Sequence, residues 1–258
     1  MIRLYPSNKT EHLAVVISEI MKATPLSAPF SNEVILIQSH GMGTWLQQEI
    51  SRNLGIAAMI ECTMPASFIW QLSQILMPND PHIPLFEKNN LRWQILERLP
   101  EKLLDPQYKV LTDYIDALSS SKPAHDEPES SEQILFELSD VLADLFDAYQ
   151  NYRPDWIAAW ERGESISAES LNGDSLSALE TWQADLWRSL YPGSELGARN
   201  HRAILLSKLL ERLTHCSGDL QARLPERVFI FGLSALPPQW LPILTVLSRY
   251  CDVHFMIQ

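Results

Sequence analysis

Lys9-Thr10 stands where a phosphate-binding loop would place its lysine and its Mg²⁺-binding hydroxyl, between a strand-like and a helix-like run. Such a loop needs the spacing G-x-x-x-x-G-K-[ST], because only glycines let backbone N–H groups turn inward and approach the phosphates. Here Arg3 and Asn8 occupy the glycine positions, and no glycine precedes Gly41. A working motor also needs acids after a later strand, to hold Mg²⁺ and position water. The apolar run Arg227-Val228-Phe229-Ile230-Phe231 is followed by Gly232-Leu233-Ser234-Ala235-Leu236, which contains none. Two independent nucleotide elements are missing, so these residues argue against ATP hydrolysis by this chain. The rival is a degenerate but active nucleotide site built on Lys9-Thr10. Gly41 and Gly43 do not make a second phosphate loop, since no lysine follows before Lys88; they read as a tight strand-to-helix turn. His215-Cys216 is isolated, and Cys62, Cys216 and Cys251 lack metal-ligand spacing, so the reading is reduced thiols and no metal.

The elements that must position these residues are legible in part. Ile2–Tyr5, Val34–Gln38, Val228–Phe231 and Val253–Ile257 are short, non-alternating apolar runs, as expected of strands buried on both faces of a parallel sheet. Ala57–Cys62 is a weaker fifth. Leu13–Met21 reads as a helix; another runs from Trp45 to Leu54 and stops at Gly55; Pro237-Pro238 opens a third over Gln239–Arg249. Between about residue 68 and residue 215 helical periodicity dominates, clearest in Asn90–Leu99, Ser130–Tyr149, Leu176–Leu190 and His201–Leu213. The expected organisation is an α/β domain, residues 1–75 and 216–258, with an inserted all-α domain over 76–215. Ser119–Ser131, rich in serine with two prolines and acids, is the linker candidate.

The charge balance narrows the function. Twenty Lys+Arg against 32 Asp+Glu gives a net charge of −12, which argues against a non-specific, electrostatically driven nucleic-acid binder and does not exclude a local basic groove. No apolar stretch is long enough to span a membrane, and the N-terminus carries no signal-peptide pattern, so a cytoplasmic protein is expected. The chain stops directly after a strand-like run, which suggests the N-terminal piece of a longer protein. Trp93, Trp156, Trp160, Trp182, Trp187 and Trp240 fall in periodic segments and read as core or snorkelling positions.

A further set of motifs is specific in combination. The segments Val34-Ile35-Leu36-Ile37-Gln38-Ser39-His40-Gly41-Met42-Gly43-Thr44-Trp45-Leu46-Gln47, Pro65-Ala66-Ser67-Phe68-Ile69-Trp70, Ala143-Asp144-Leu145-Phe146-Asp147, Tyr152-Arg153-Pro154-Asp155-Trp156 and Ser234-Ala235-Leu236-Pro237-Pro238 occur in that order. In order and spacing the whole chain resembles the start of the RecC family, the gamma chains of exodeoxyribonuclease V (RecBCD). The resemblance implies a P-loop-like, superfamily 1 helicase-like parallel sheet whose motor motifs have decayed. It implies a non-catalytic subunit that holds RecB and RecD, helps split duplex DNA, and conducts the 3′-ended single strand while it is read for Chi in double-strand-break repair. ATP and Mg²⁺ would be used by the partners, with no cofactor in this chain. The reading surface it implies comprises Gln38, Trp70, Asp144, Leu145, Asp147, Arg153 and Arg202. His40, Thr44 and Met64 belong to it too, standing where threonine, glutamine and leucine are usual in the family. Amides and carboxylates there would meet base edges, Trp70 would stack on a base, and the arginines would meet phosphate or guanine. Without the resemblance, Asp144 and Asp147 are a solvated helix face and Trp70 a core residue, and the alternative function is a protein-interaction scaffold that never touches DNA.

Overall fold

The computed structural model describes residues 1–78, 86–120, 131–166, 173–190, 201–216, 218–233 and 235–257. They form two compact units, residues 1–81 with 206–258 and residues 82–205. Most of the linker candidate over 119–131, and Ser234 of the last motif, lie outside the described residues.

The first unit is a five-stranded, wholly parallel sheet of β1 (Ile2–Pro6), β2 (Glu33–Leu36), β3 (Ile60–Thr63), β4 (Arg227–Phe231) and β5 (Asp252–Ile257), in the order β1-β5-β4-β2-β3. Central β2 and β4 are buried along their whole length. β1 corrects the expectation of two covered faces: it is an edge strand, largely exposed, with Leu4 62% accessible. An edge strand has one neighbour, and apolar composition does not report how many neighbours a strand has.

Helices α1 (Thr10–Ala23) and α2 (His40–Leu54) pack side by side on one sheet face. Leu13, Ala14, Ile17, Leu46 and Ile50 join Ile35, Ile37, Phe229, Phe231 and Met256 in a single core there. α2 starts five residues before the expected Trp45. The Ser39 hydroxyl caps it by accepting from the Met42 N–H at 3.3 Å, and Gly55 closes it in the left-handed region at φ 83°. Gly41 and Gly43 are therefore helical, not a turn. Gly43 is needed for close approach, since a Cβ there would sit 2.7 Å from Ile37 Cδ1 and 3.1 Å from Cys62 Cβ. α3 (Pro65–Leu76) opens with proline in its first turn, and α10 (Trp240–Leu247) connects β4 to β5.

The second unit is helical among its described residues: α4 (Lys88–Lys102), α5 (Lys109–Ser120), α6 (Ser131–Tyr152), α7 (Pro154–Arg162), α8 (Gly173–Ser189) and the first turn of α9 (Arg202–Thr214). Leu91, Ile95 and Leu99 on α4 and Leu138, Leu142 and Phe146 on α6 repeat every four residues, so each set forms one face of its helix. They close a core with Ile157, Trp160, Trp182 and Trp187. Buried Gln150 ties the two ends of this unit together: its Nε2 donates to the Phe86 carbonyl and its Oε1 accepts from the Arg202 N–H, each at 3.1 Å. Of the periodic tryptophans, Trp160, Trp182, Trp187 and Trp240 are buried, whereas Trp93 is 56% exposed.

The three cysteines are free thiols, and burial pushes the Cys251 thiol up to about 12. Among the described residues no helix is long and apolar enough to cross a membrane.

Candidate nucleic-acid interface

Lys9 N-caps α1 from an extended backbone, with its own N–H bonded to the Ser7 hydroxyl at 3.1 Å. The segment is thus strand, three-residue loop, helix. The loop ties its Ser7 N–H to the Ile257 carbonyl at 2.9 Å and its Lys9 N–H to the Ser7 hydroxyl, and has no glycine with which to turn N–H groups toward a phosphate. The acid-free turn after β4 begins with Gly232 at φ 61°.

The candidate DNA residues of the first unit gather where β2 and β3 end. These strands are adjacent, and the Ile37 N–H donates to the Thr63 carbonyl at 3.0 Å just past the ladder. Gln38 and His40 follow β2 and are exposed; Thr44, one turn along α2, is exposed and its hydroxyl donates to the His40 carbonyl at 3.2 Å. Half-buried Met64 follows β3 as the N-cap residue of α3. The carboxyl ends of parallel strands are where open α/β sheets place their ligands. Trp70, half-buried on the second turn of α3, stands farther down the helix. It lines a cavity of about 610 Å³ with Gln71, Gln74, Asn32 and Arg223. The Glu61 carboxylate in that wall accepts from Gln71 Nε2 at 2.8 Å.

The candidates of the second unit lie on or beside α6. Asp147 and Arg202 meet directly: Arg202 Nη1 is 3.2 Å from Asp147 Oδ1 and 3.0 Å from Asn151 Oδ1. Asp144 pairs with Lys88 at 2.7 Å, and this carboxylate, with Asp140 behind it, raises the lysine pKa. The solvated acidic face is therefore a set of ion pairs. Leu145 is half-buried against the helical core. Arg153 precedes Pro154, the first residue of α7; its guanidinium binds both oxygens of Asp155, at 3.1 and 2.8 Å, and lies 3.8 Å from the Trp156 ring centroid. That hydrogen-bonded guanidinium holds the Asp155 carboxyl below the usual carboxylate range. Lys88, Asn151, Asp155 and Trp156 were not among the expected site residues. Asp155 and Trp156 follow Arg153 in its own motif, which is the signal that would have found them; Lys88 is 56 residues before Asp144 and leaves no local signal.

Comparison of the sequence with known proteins shows its family. A family model described as RecC, N-terminal domain, matches residues 2–258. The chain is 36% identical over 258 residues to the RecBCD enzyme subunit RecC of Escherichia coli, covering 99% of this chain and 21% of that protein. It is likewise 36% identical over 269 residues to the RecC subunit of Haemophilus influenzae, covering 98% and 23%. Against the RecC subunit of Mycolicibacterium smegmatis it is 26% identical over 256 residues, covering 99% and 21%. The chain thus spans about a fifth of the length of the curated relatives it matches.

Proposed function

We propose, from the premise that this chain belongs to the RecC family, that it guides and reads single-stranded DNA within a RecBCD-type helicase–nuclease and has no chemistry of its own. The sheet unit is a P-loop-like, superfamily 1 helicase-like domain whose motor has decayed. Its loop at Ser7–Lys9 lacks glycine and the turn after β4 lacks acids, so ATP and Mg²⁺ fall to the partner subunits RecB and RecD. The role is in recombinational repair, with the 3′ strand read for Chi.

The observation that carries this reading is that the arginines proposed to meet DNA are held by carboxylates on fixed helices. A bare arginine grips phosphate and adds salt-dependent, sequence-blind affinity. One already matched by Asp147 or Asp155 adds little net attraction but presents N–H donors in a fixed direction. Carboxylates, in turn, accept from base amino groups and repel phosphate. With a net charge of −12, such a surface suits a strand that must slide past and be sampled. Gln38, His40, Thr44 and Met64 at the strand ends, and Trp70 on α3, supply the remaining amide, imidazole, hydroxyl and apolar contacts.

The test uses the full-length chain assembled with RecB and RecD. Arg153→Ala and Arg202→Ala are each expected to leave unwinding intact and to weaken the response to Chi about tenfold or more, as for loss of one base-reading contact. An unchanged response in both variants would leave this segment a protein scaffold without DNA contact.

A further inference from the structure

We infer that the strand-contacting surface extends along α6 toward its N-terminus, to a stacking platform made by Trp93 and Phe136. This rests on the DNA-reading role proposed above for Asp144, Asp147 and Arg202. On α6, Phe136, Asp140 and Asp144 are spaced four apart and so share a face, which continues to Asp147. From Phe136 to Asp147 this stripe spans roughly 16 Å at the helical rise. α4 packs alongside and supplies a partner at each step: Lys88 pairs with Asp144 at 2.7 Å and Asp140 at 3.4 Å, and Arg92 with Asp140 at 3.2 Å. Trp93 meets Phe136 with ring centroids 5.7 Å apart.

At that last step the chemistry changes from ionic to aromatic. Trp93 is 56% and Phe136 36% exposed, yet neither ring is loose. The Arg92 guanidinium lies 5.4 Å from one centroid and 5.0 Å from the other, and is itself anchored to Asp140. An exposed indole clamped by a cation and a second ring is a rigid, flat, sequence-tolerant surface. Every base has a π-face to lay on it. Lys88 and Arg92 match Asp140 and Asp144, and Arg202 matches Asp147, which lowers the repulsion a phosphodiester chain meets along the stripe and leaves exposed Glu137, beside Phe136, as the further acid on this stretch of α6. The occupant is therefore the same single strand, its bases stacked here on the approach to, or exit from, the reading positions.

The experiment photolyses single-stranded DNA carrying 5-iododeoxyuridine at successive positions on the full-length chain, and maps the cross-linked residues by mass spectrometry. Adducts are expected at Trp93, at a fixed nucleotide offset from those at Trp156 in the same unit. Trp93→Leu should abolish that adduct and weaken single-strand binding roughly five- to a hundred-fold, the range for loss of one stacked base. Phe136→Leu should weaken it too, and the unmutated protein carries the test should either variant misfold. Adducts at Trp70 or Trp156 with none at Trp93 or Phe136, and unchanged affinity in both variants, would overturn the platform and leave the reading surface standing. Release of a partner subunit by Trp93→Leu, with the other adducts intact, would assign this face to protein instead and equally overturn it. No adduct anywhere in these 258 residues would overturn the platform and the reading role together.

Discussion

Replacing Arg227 by methionine is expected to cost about 3–5 kcal/mol of folding stability, the usual penalty for leaving one partner of a buried ion pair alone. Arg227 opens β4 and Glu33 opens the adjacent β2, and both are nearly inaccessible. Arg227 Nε donates to one Glu33 oxygen at 2.9 Å and Nη2 to the other, while Nη1 donates to the Thr24 carbonyl and hydroxyl at 2.9 and 2.8 Å. Thr24 ends α1, so a single guanidinium fastens two central strands and a helix terminus at the foot of the sheet. Without it, the Glu33 carboxylate stays in a site that water barely reaches. The double variant Arg227→Met with Glu33→Met should lose less than either single change, because both desolvation penalties disappear together. Urea unfolding of the four proteins checks this. A loss below about 1 kcal/mol in the single variants, the value of an exposed pair, would mean that the pair is solvated.

Acid should unfold this protein earlier than its carboxylates alone require, because of His254. Its side chain is fully buried on β5, stacked on Tyr5 at 5.7 Å and tilted against Phe229 at 5.0 Å, and neither ring nitrogen has a hydrogen-bond partner among the described residues. Burial pushes its pKa down to about 4; Arg3 and Arg227 push the same way, and Asp252 opposes them. The folded pKa thus lies below the unfolded value of about 6.5, so the unfolded chain binds the proton first. The associated stability is complete above pH 6.5 and lost as pH falls toward 4, by about 3 kcal/mol at 1.36 kcal/mol per pH unit. His254→Leu should remove that part of the slope, as followed by urea unfolding at pH 7 and pH 4.5. An unchanged difference between the two pH values would place the acid sensitivity elsewhere.

These two residues also mark what the sequence hides. Apolar runs locate four strands to within a residue or two; for central β2 and β4 the cause is cover on both faces, whereas β1 is as apolar and lies exposed at the edge. The same signal says nothing of the burial of Glu33 and Arg227, the charged residues that open β2 and β4. Only their pairing, 194 residues apart, brings both inside. The start of α2 is obscured for a related reason: two glycines suggest a turn, while Gly43 is dictated by Ile37 and Cys62 pressing on the helix from the sheet. At the candidate interface, the shared face of Asp144 and Asp147 follows from their spacing. Its neutralisation does not, because Lys88 and Arg202 come from distant helices. Trp93 shows the limit of periodicity, which places an aromatic on a helix without saying whether the neighbouring helix covers it.

The claim that this chain reads DNA is tested most directly by titrating its tryptophan fluorescence with single-stranded DNA at low salt, in this chain and in the full-length protein, with Trp70→Phe and Arg153→Ala alongside. The expected result is saturable quenching that shrinks in Trp70→Phe, shifts to higher DNA concentration in Arg153→Ala, and fades as salt is raised. A full-length protein whose fluorescence shows no saturable change, or the same change in both variants, would contradict a strand path over this surface.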